Sequence, residues 1–296
     1  MSRTQTTRRQ KANDAPQYLA RIATALERIA TVAERVGTTP KATDFDGAIC
    51  WRWEASLLGG RLTATPPPNF EPLSNLHGVD EQIAKIDANT RNFLRGKPSC
   101  HVLLTGPRGV GKSSVVRGIF AKHANNRLRL IECDSAGLGQ LSSLLPALSE
   151  RSEKFILYCD DLSFGGAGGE LFQRIKSALE GGLAASDNVR VYATSNRRHL
   201  VAERQADNLD GFNGEEIHPN ETVEEKIALS DRFGIWVYFP APNVEEYQNL
   251  VRHWLQKNGI APTLPRLQAA LRWADERGSM NGRMARHFAI QQATRR

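Results

Sequence analysis

From residue 77 onward the chain alternates short apolar runs with segments whose apolar residues recur every three or four positions. Residues 101–105, 128–133, 155–159, 189–194 and 235–239 read as strands, nearly continuous in apolar residues, as strands covered on both faces are. Helical spacing lies between them, over 80–95, from Lys112 to about Ala124, and near 138–149 and 170–185. In the first of these helices Asp80 marks the start and Ile83, Ile86, Phe93 and Leu94 turn inward. Beyond Pro242 no strand pattern appears, and helical patterns near 244–257, 264–277 and 281–293 predict a small helical domain. The predicted fold is therefore α/β: a three-layer parallel sheet followed by a C-terminal helical unit.

The segment before residue 77 reads differently. Residues 1–16 are polar and are expected to form a disordered tail. Leu19, Ile22, Leu26, Ile29, Ala33 and Val36 then form a helical stripe with heptad character, suited to packing on its own domain or, less well, to a partner helix. Residues 38–76, with Trp51, Trp53 and the run Pro66-Pro67-Pro68, read as irregular structure or a small hairpin. The predicted organisation is a tail over 1–16, an N-terminal helix and linker over 17–73, an α/β domain over 74–242 and a helical unit over 243–296.

Composition narrows the setting. With 296 residues and 40% hydrophobic content the chain can bury a sizeable core. No apolar run approaches the roughly 18 residues of a membrane helix, and the N-terminus lacks the apolar segment of a secretory signal. Cys50, Cys100, Cys133 and Cys159 are widely spaced and form no C-x-x-C pattern, which indicates neither a disulfide framework nor a zinc site and predicts a cytoplasmic protein. Residues 1–41 hold eight Lys/Arg against three acids, so they carry +5 of the net charge of +7. That is a solvated arm in the plainer reading and a contact for a polyanion in the other.

Gly106-Pro107-Arg108-Gly109-Val110-Gly111-Lys112-Ser113 matches G-x-x-x-x-G-K-[ST] between a predicted strand and a predicted helix. Glycines at these places let successive backbone N–H groups face phosphate oxygens, and the helix beginning near Lys112 adds its positive end. Lys112 is expected to reach the β- and γ-phosphates of a bound nucleotide, with the Ser113 hydroxyl on Mg²⁺ and Ser114 beside it. Residues 155–159 end in Asp160-Asp161, which suits a strand delivering Asp160 to the metal and Asp161 to the attacking water. Residues 189–194 run into Ser195-Asn196, where a polar side chain can position that water. Asn196 leads, ahead of Thr194 and Ser195.

These ordered motifs resemble the AAA+ superfamily over roughly residues 74–292. The stretches 106–114, 155–164, 192–200 and 224–234 are similar to one bacterial group within it, the domain of unknown function 815 family. The resemblance implies ATP and Mg²⁺ as cofactors, a C-terminal helical lid, homo-oligomeric assembly, no membrane, and a protein or nucleic-acid client. It also implies roles for further residues. Val79, in His77-Gly78-Val79-Asp80, falls where the linker passes over the adenine. Arg232 leads Arg197 and Arg198 as an arginine finger reaching a neighbouring subunit, and Arg283 leads Arg286 as the lid's phosphate sensor. AAA+ hydrolases usually carry Glu where Asp161 stands, and the shorter side chain makes hydrolysis a weaker expectation than binding. The readings that follow are an oligomeric ATPase and a nucleotide-gated binding module with negligible hydrolysis. A small-molecule kinase fits poorly.

Overall fold

The computed structural model describes residues 21–28, 45, 47–56, 59–68, 70–124, 127–162, 173, 175–179, 181, 186–196 and 232–294. The expected tail, most of the helix near 170–185, residues 201–222, and Arg197 and Arg198 lie outside these residues.

Among the described residues seven strands form one sheet. They are β1 (Cys50–Ser56), β2 (Gly59–Thr65), β3 (Val102–Thr105), β4 (Leu128–Cys133), β5 (Lys154–Cys159), β6 (Val189–Ser195) and β7 (Ile235–Tyr238), in the order β2-β1-β4-β5-β6-β3-β7. The β1–β2 hairpin is antiparallel and every other pair is parallel. β3 is buried at all four positions and β5 at five of six, which accounts for their continuous apolar runs. The two faces carry separate apolar cores. Trp51, Trp53, Leu103 and Leu157 belong to one, and Cys50, Val102, Leu104 and Ile156 to the other, each strand alternating between them.

Helix α1 (Asp80–Leu94) and helix α2 (Lys112–His123), the helix after the phosphate loop, are tied together through a buried carboxylate. Asp87 accepts from His123 Nε2 at 2.7 Å and from Lys122 Nζ at 3.0 Å. Burial alone would raise the Asp87 carboxyl, but these hydrogen bonds outweigh it and hold it below the usual carboxylate range.

Three expectations need correction. The linker assigned to 17–73 contains β1 and β2, and β1 pairs in parallel with β4, so the sheet of the α/β domain begins at Cys50 and not at 74. Trp51 and Trp53 drive this: two residues apart, they point to one face and are 7% and 2% exposed. Within the helical stripe, residues 21–28 are helical as expected, but Ile22 and Leu26 are 54% and 59% exposed. In this part the stripe does not pack on its own domain; one apolar residue per turn over two turns gives little area to bury.

The helix expected near 138–149 is also broken. It becomes α3 (Ser135–Gly139), a 3₁₀ turn over Leu141–Ser143, and α4 (Leu145–Ser149), with two glycines in the first piece and Pro146 opening the second.

The chain closes with α5 (Val244–Lys257), α6 (Leu264–Asp275) and α7 (Gly282–Thr294), which share a core of their own around Tyr247, Val251, Leu267 and Phe288. A capping box starts this lid. Asn243 Oδ1 accepts from the Glu246 amide at 2.9 Å, and Glu246 Oε2 accepts from the Asn243 amide at 2.8 Å. No helix among the described residues is long and apolar enough to cross a membrane.

Candidate nucleotide-binding site

β5, β6 and β3 are adjacent, and their register pairs Cys159 with Ala193 and Thr105 with Ser195. Their carboxyl ends therefore finish at nearly one level, where the loop after β3, the acidic pair after β5 and the polar end of β6 meet.

In the loop, Gly106, Gly109 and Gly111 have φ of 139°, 82° and 104°, a region that side chains rarely enter. At Gly106 a β-carbon would also lie 2.2 Å from the carbonyl oxygen of Phe239. Gly111 leads directly into α2, so the first turn of that helix opens on the loop. Lys112 is 5% exposed, and its ammonium donates to the carbonyls of Gly106 (2.6 Å) and Pro107 (2.7 Å) and to Asn196 Oδ1 (3.0 Å). Burial pushes its pKa down to about 8 against the opposing pull of Asp160 and Asp161.

The two carboxylates hold different partners. Asp160 Oδ1 accepts from Thr194 Oγ1 at 2.6 Å and from Ser113 Oγ at 2.8 Å, while Oδ2 faces Arg117 at 3.8 Å. Burial would raise this carboxyl, yet the hydrogen bonds from Thr194 and Ser113 outweigh it and hold it below the usual range. Asp161 has a left-handed backbone, φ 58°, fixed where its amide donates to Thr194 Oγ1 at 2.9 Å. Asp tolerates this conformation better than most residues. Its Oδ1 accepts from Asn196 Nδ2, and its Oδ2 lies 3.4 Å from Arg108.

A cavity of about 1120 Å³ joins these groups to the lid. Its walls include Arg108 to Ser114, both aspartates, Thr194 and Asn196, with Val79 on the linker side and Arg283 and Arg286 on the lid side. Gly106 and Pro107 back the loop rather than line the cavity, and Ser195 is buried away from it. Both Thr194 and Asn196 touch the acidic pair, so the strand end supplies two polar contacts where one was expected.

Arg232 does not line this cavity. It is exposed and precedes β7, whose first residue, Ile235, pairs with Val102, whereas the loop follows Thr105, which pairs with Tyr238. Three strand residues, roughly 10 Å, separate the two levels.

Ser113 Oγ and Asp160 Oδ1 offer hard oxygens 2.8 Å apart, and among the described residues no group of three or more His, Cys, Asp or Glu is placed to hold a metal ion by itself. That donor set suits Mg²⁺, which takes one or two carboxylates and completes its shell with phosphates and water.

Arg117 was missed in the sequence. It bridges Asp160 to Glu132, donating to Glu132 Oε1 at 3.1 and 3.3 Å. It stands four positions after Ser113 on α2, and that spacing, which puts both on one helix face, was the available signal.

A family model described as "Protein of unknown function (DUF815)" matches residues 46–296. The Holliday junction branch migration complex subunit RuvB of Arthrobacter sp. (strain FB24) is 30% identical over 117 residues, 37% of this chain. This chain spans 31% of that relative's length. Among solved structures, the FIGL-1 AAA domain in complex with ADP is similar in fold, with a TM-score of 0.50 and 19% identity over 76% of this chain and 74% of that one. A Thermotoga maritima RuvB variant aligns with a TM-score of 0.46 and 14% identity over 71% of this chain and 60% of its own.

Proposed function

Because the chain belongs to the DUF815 family and has the AAA+ P-loop fold, we propose that it is an oligomeric ATPase that binds Mg-ATP in this cavity and couples its hydrolysis to work on a macromolecular partner. The observation that carries this reading is the convergence of Lys112 and Ser113 at the start of α2 with Asp160, Asp161, Thr194 and Asn196 at the ends of the adjacent strands β5 and β6, on one cavity that also reaches the lid.

The loop amides and the amino end of α2 receive the phosphates, and Lys112, released from the loop carbonyls, pairs with the terminal ones. Ser113 and Asp160 hold Mg²⁺, which supplies charge neutralisation to the transferring phosphoryl group. Asn196 fixes Asp161, and Asp161 orients and deprotonates the water attacking the γ-phosphorus. Val79 bounds the adenine side. Arg283 reads the γ-phosphate from the lid, and Arg232 completes the site of a neighbouring subunit. That the FIGL-1 AAA domain holds ADP favours an adenine nucleotide here. The partner is a protein or nucleic acid, and the basic 1–41 segment is the part best suited to a polyanion. Four unpaired cysteines fit a cytoplasmic setting.

A second reading, a nucleotide-gated binding module, is favoured by Asp161 itself. The carboxylate is shorter than the usual Glu and is already engaged by Arg108 and Asn196. Mg-ATP binding and turnover across protein concentration separate the two. For the ATPase, turnover per subunit rises with concentration, Asp161→Glu matches or exceeds wild type, and folded Lys112→Ala loses both binding and turnover. Tight binding without turnover at any concentration, in wild type and Asp161→Glu alike, establishes the gated module. Unchanged ATP affinity in folded Lys112→Ala defeats the site.

A further inference from the structure

The lid touches the phosphate loop at Gly109, and we propose that Asn281 is the positioning residue of that contact, docking the amino end of α7 on the loop and thereby setting where Arg283 reaches the terminal phosphate. The inference rests on the nucleotide-binding reading above and adds a mechanical link between loop and lid.

Asn281 is 6% exposed although polar. Its Oδ1 accepts from the Met284 amide at 2.9 Å, which caps α7, and its Nδ2 donates to Ser279 Oγ at 2.6 Å. With both ends of the amide held, the side chain has one orientation, and it lies against the α-carbon of Gly109. A β-carbon at Gly109 would sit 2.6 Å from Oδ1, 2.7 Å from Cγ and 3.0 Å from Nδ2 of Asn281. The next two lid residues extend the contact. The Arg283 amide donates to the Gly109 carbonyl at 3.4 Å, and a β-carbon on Gly282 would lie 3.3 Å from that same oxygen.

Gly109 thus answers two demands. Its φ of 82° is one, although Asn or Asp can meet a left-handed conformation. The lid is the other, because any side chain at 109 would push Asn281 off the loop. The contact is short, buried and made by an amide held at both its oxygen and its nitrogen, so a shift of the loop on nucleotide binding carries the start of α7 with it. Arg283, two residues after Asn281, then begins its long side chain from a fixed point, which limits the conformational freedom lost when it reaches a phosphate.

The test measures release of a slowly hydrolysed analogue, Mg-ATPγS, from the full chain. Asn281→Ser keeps a good helix cap but is too short to cover Gly109. Its thermal melt should match wild type, whereas nucleotide release should speed up by roughly tenfold. Arg283→Ala should show a similar acceleration, and the double variant should release no faster than Arg283→Ala alone, because Asn281 acts through Arg283. Release at the wild-type rate from Asn281→Ser, or accelerations that multiply in the double variant, overturns the inference while leaving the nucleotide site standing. A folded wild type that does not retain Mg-ATPγS removes the functional reading itself.

Discussion

Lys112 carries opposite demands in the free and nucleotide-bound protein. Phosphate binding needs the ammonium, yet burial among loop carbonyls brings its pKa down to about 8. Above pH 8 the free protein loses this proton and must recover it to bind. ATP affinity should therefore be level well below pH 8, bend near it and fall by up to about tenfold per pH unit above it. Calorimetric titrations at pH 7.5 and 9 in buffers of different ionisation enthalpy check this, since net proton uptake should be much larger at the higher pH. Fold stability moves the other way. A lysine depressed in the fold leaves the unfolded chain holding more protons between about 8 and the ordinary lysine value of 10.5, so this group adds stability as pH rises through that window. Falling affinity on a protein that is not losing stability through this lysine separates the titration from alkaline unfolding. The contiguous phosphate loop and acidic pair were legible in the sequence because their chemistry needs fixed residue types at fixed spacing. Arg117 and Asn281 were not, because their roles come from what folding sets against them: Glu132 and Asp160 for one, Gly109 for the other.

At the scale of elements, the described strands from Val102 onward, α1, α2 and the three C-terminal helices were readable because each buries an apolar run or stripe, whereas the stripe near 138–149 is interrupted by two glycines and Pro146. The hairpin was half readable. Trp51 and Trp53 show strand alternation, but their partner strand β4 lies more than 70 residues further along, and pairing at that range leaves no local mark. What fixes the hairpin is the Trp53 ring. It is 2% exposed, lies against Gly60 so closely that a β-carbon there would be 2.2 Å from the ring, and also approaches Gly137. Trp53→Ala should cost roughly 3–5 kcal/mol, the range for emptying a large aromatic site in a core. Urea unfolding should show the lower midpoint, and faster amide exchange in Cys50–Thr65 should show that the hairpin loosens from β4 first. A loss under about 1 kcal/mol would mean that the hairpin is held by its backbone pairing alone.

For the whole molecule, the decisive feature is where Arg232 stands. It precedes β7 at the end of the strand away from the phosphate loop, is exposed, and does not line its own cavity. An arginine serving catalysis from there must serve another copy's site. That requirement gives a test independent of any assembly size. Lys112→Ala subunits retain Arg232 but lose the phosphate lysine; Arg232→Ala subunits retain an intact site but offer no finger. Each variant alone should hydrolyse ATP far more slowly than wild type, since removal of an arginine finger costs about 10³-fold or more. Mixed at equal concentration, they should recover measurable turnover, because an Arg232→Ala site can then border a Lys112→Ala neighbour that brings the missing guanidinium. Recovery should grow with total concentration and vanish when both substitutions are placed in every subunit. An Arg232→Ala protein that hydrolyses ATP at the wild-type rate removes the finger. Inactive variants that stay inactive on mixing, while still co-assembling by sedimentation, would show that Arg232 acts within its own subunit or only in its folding.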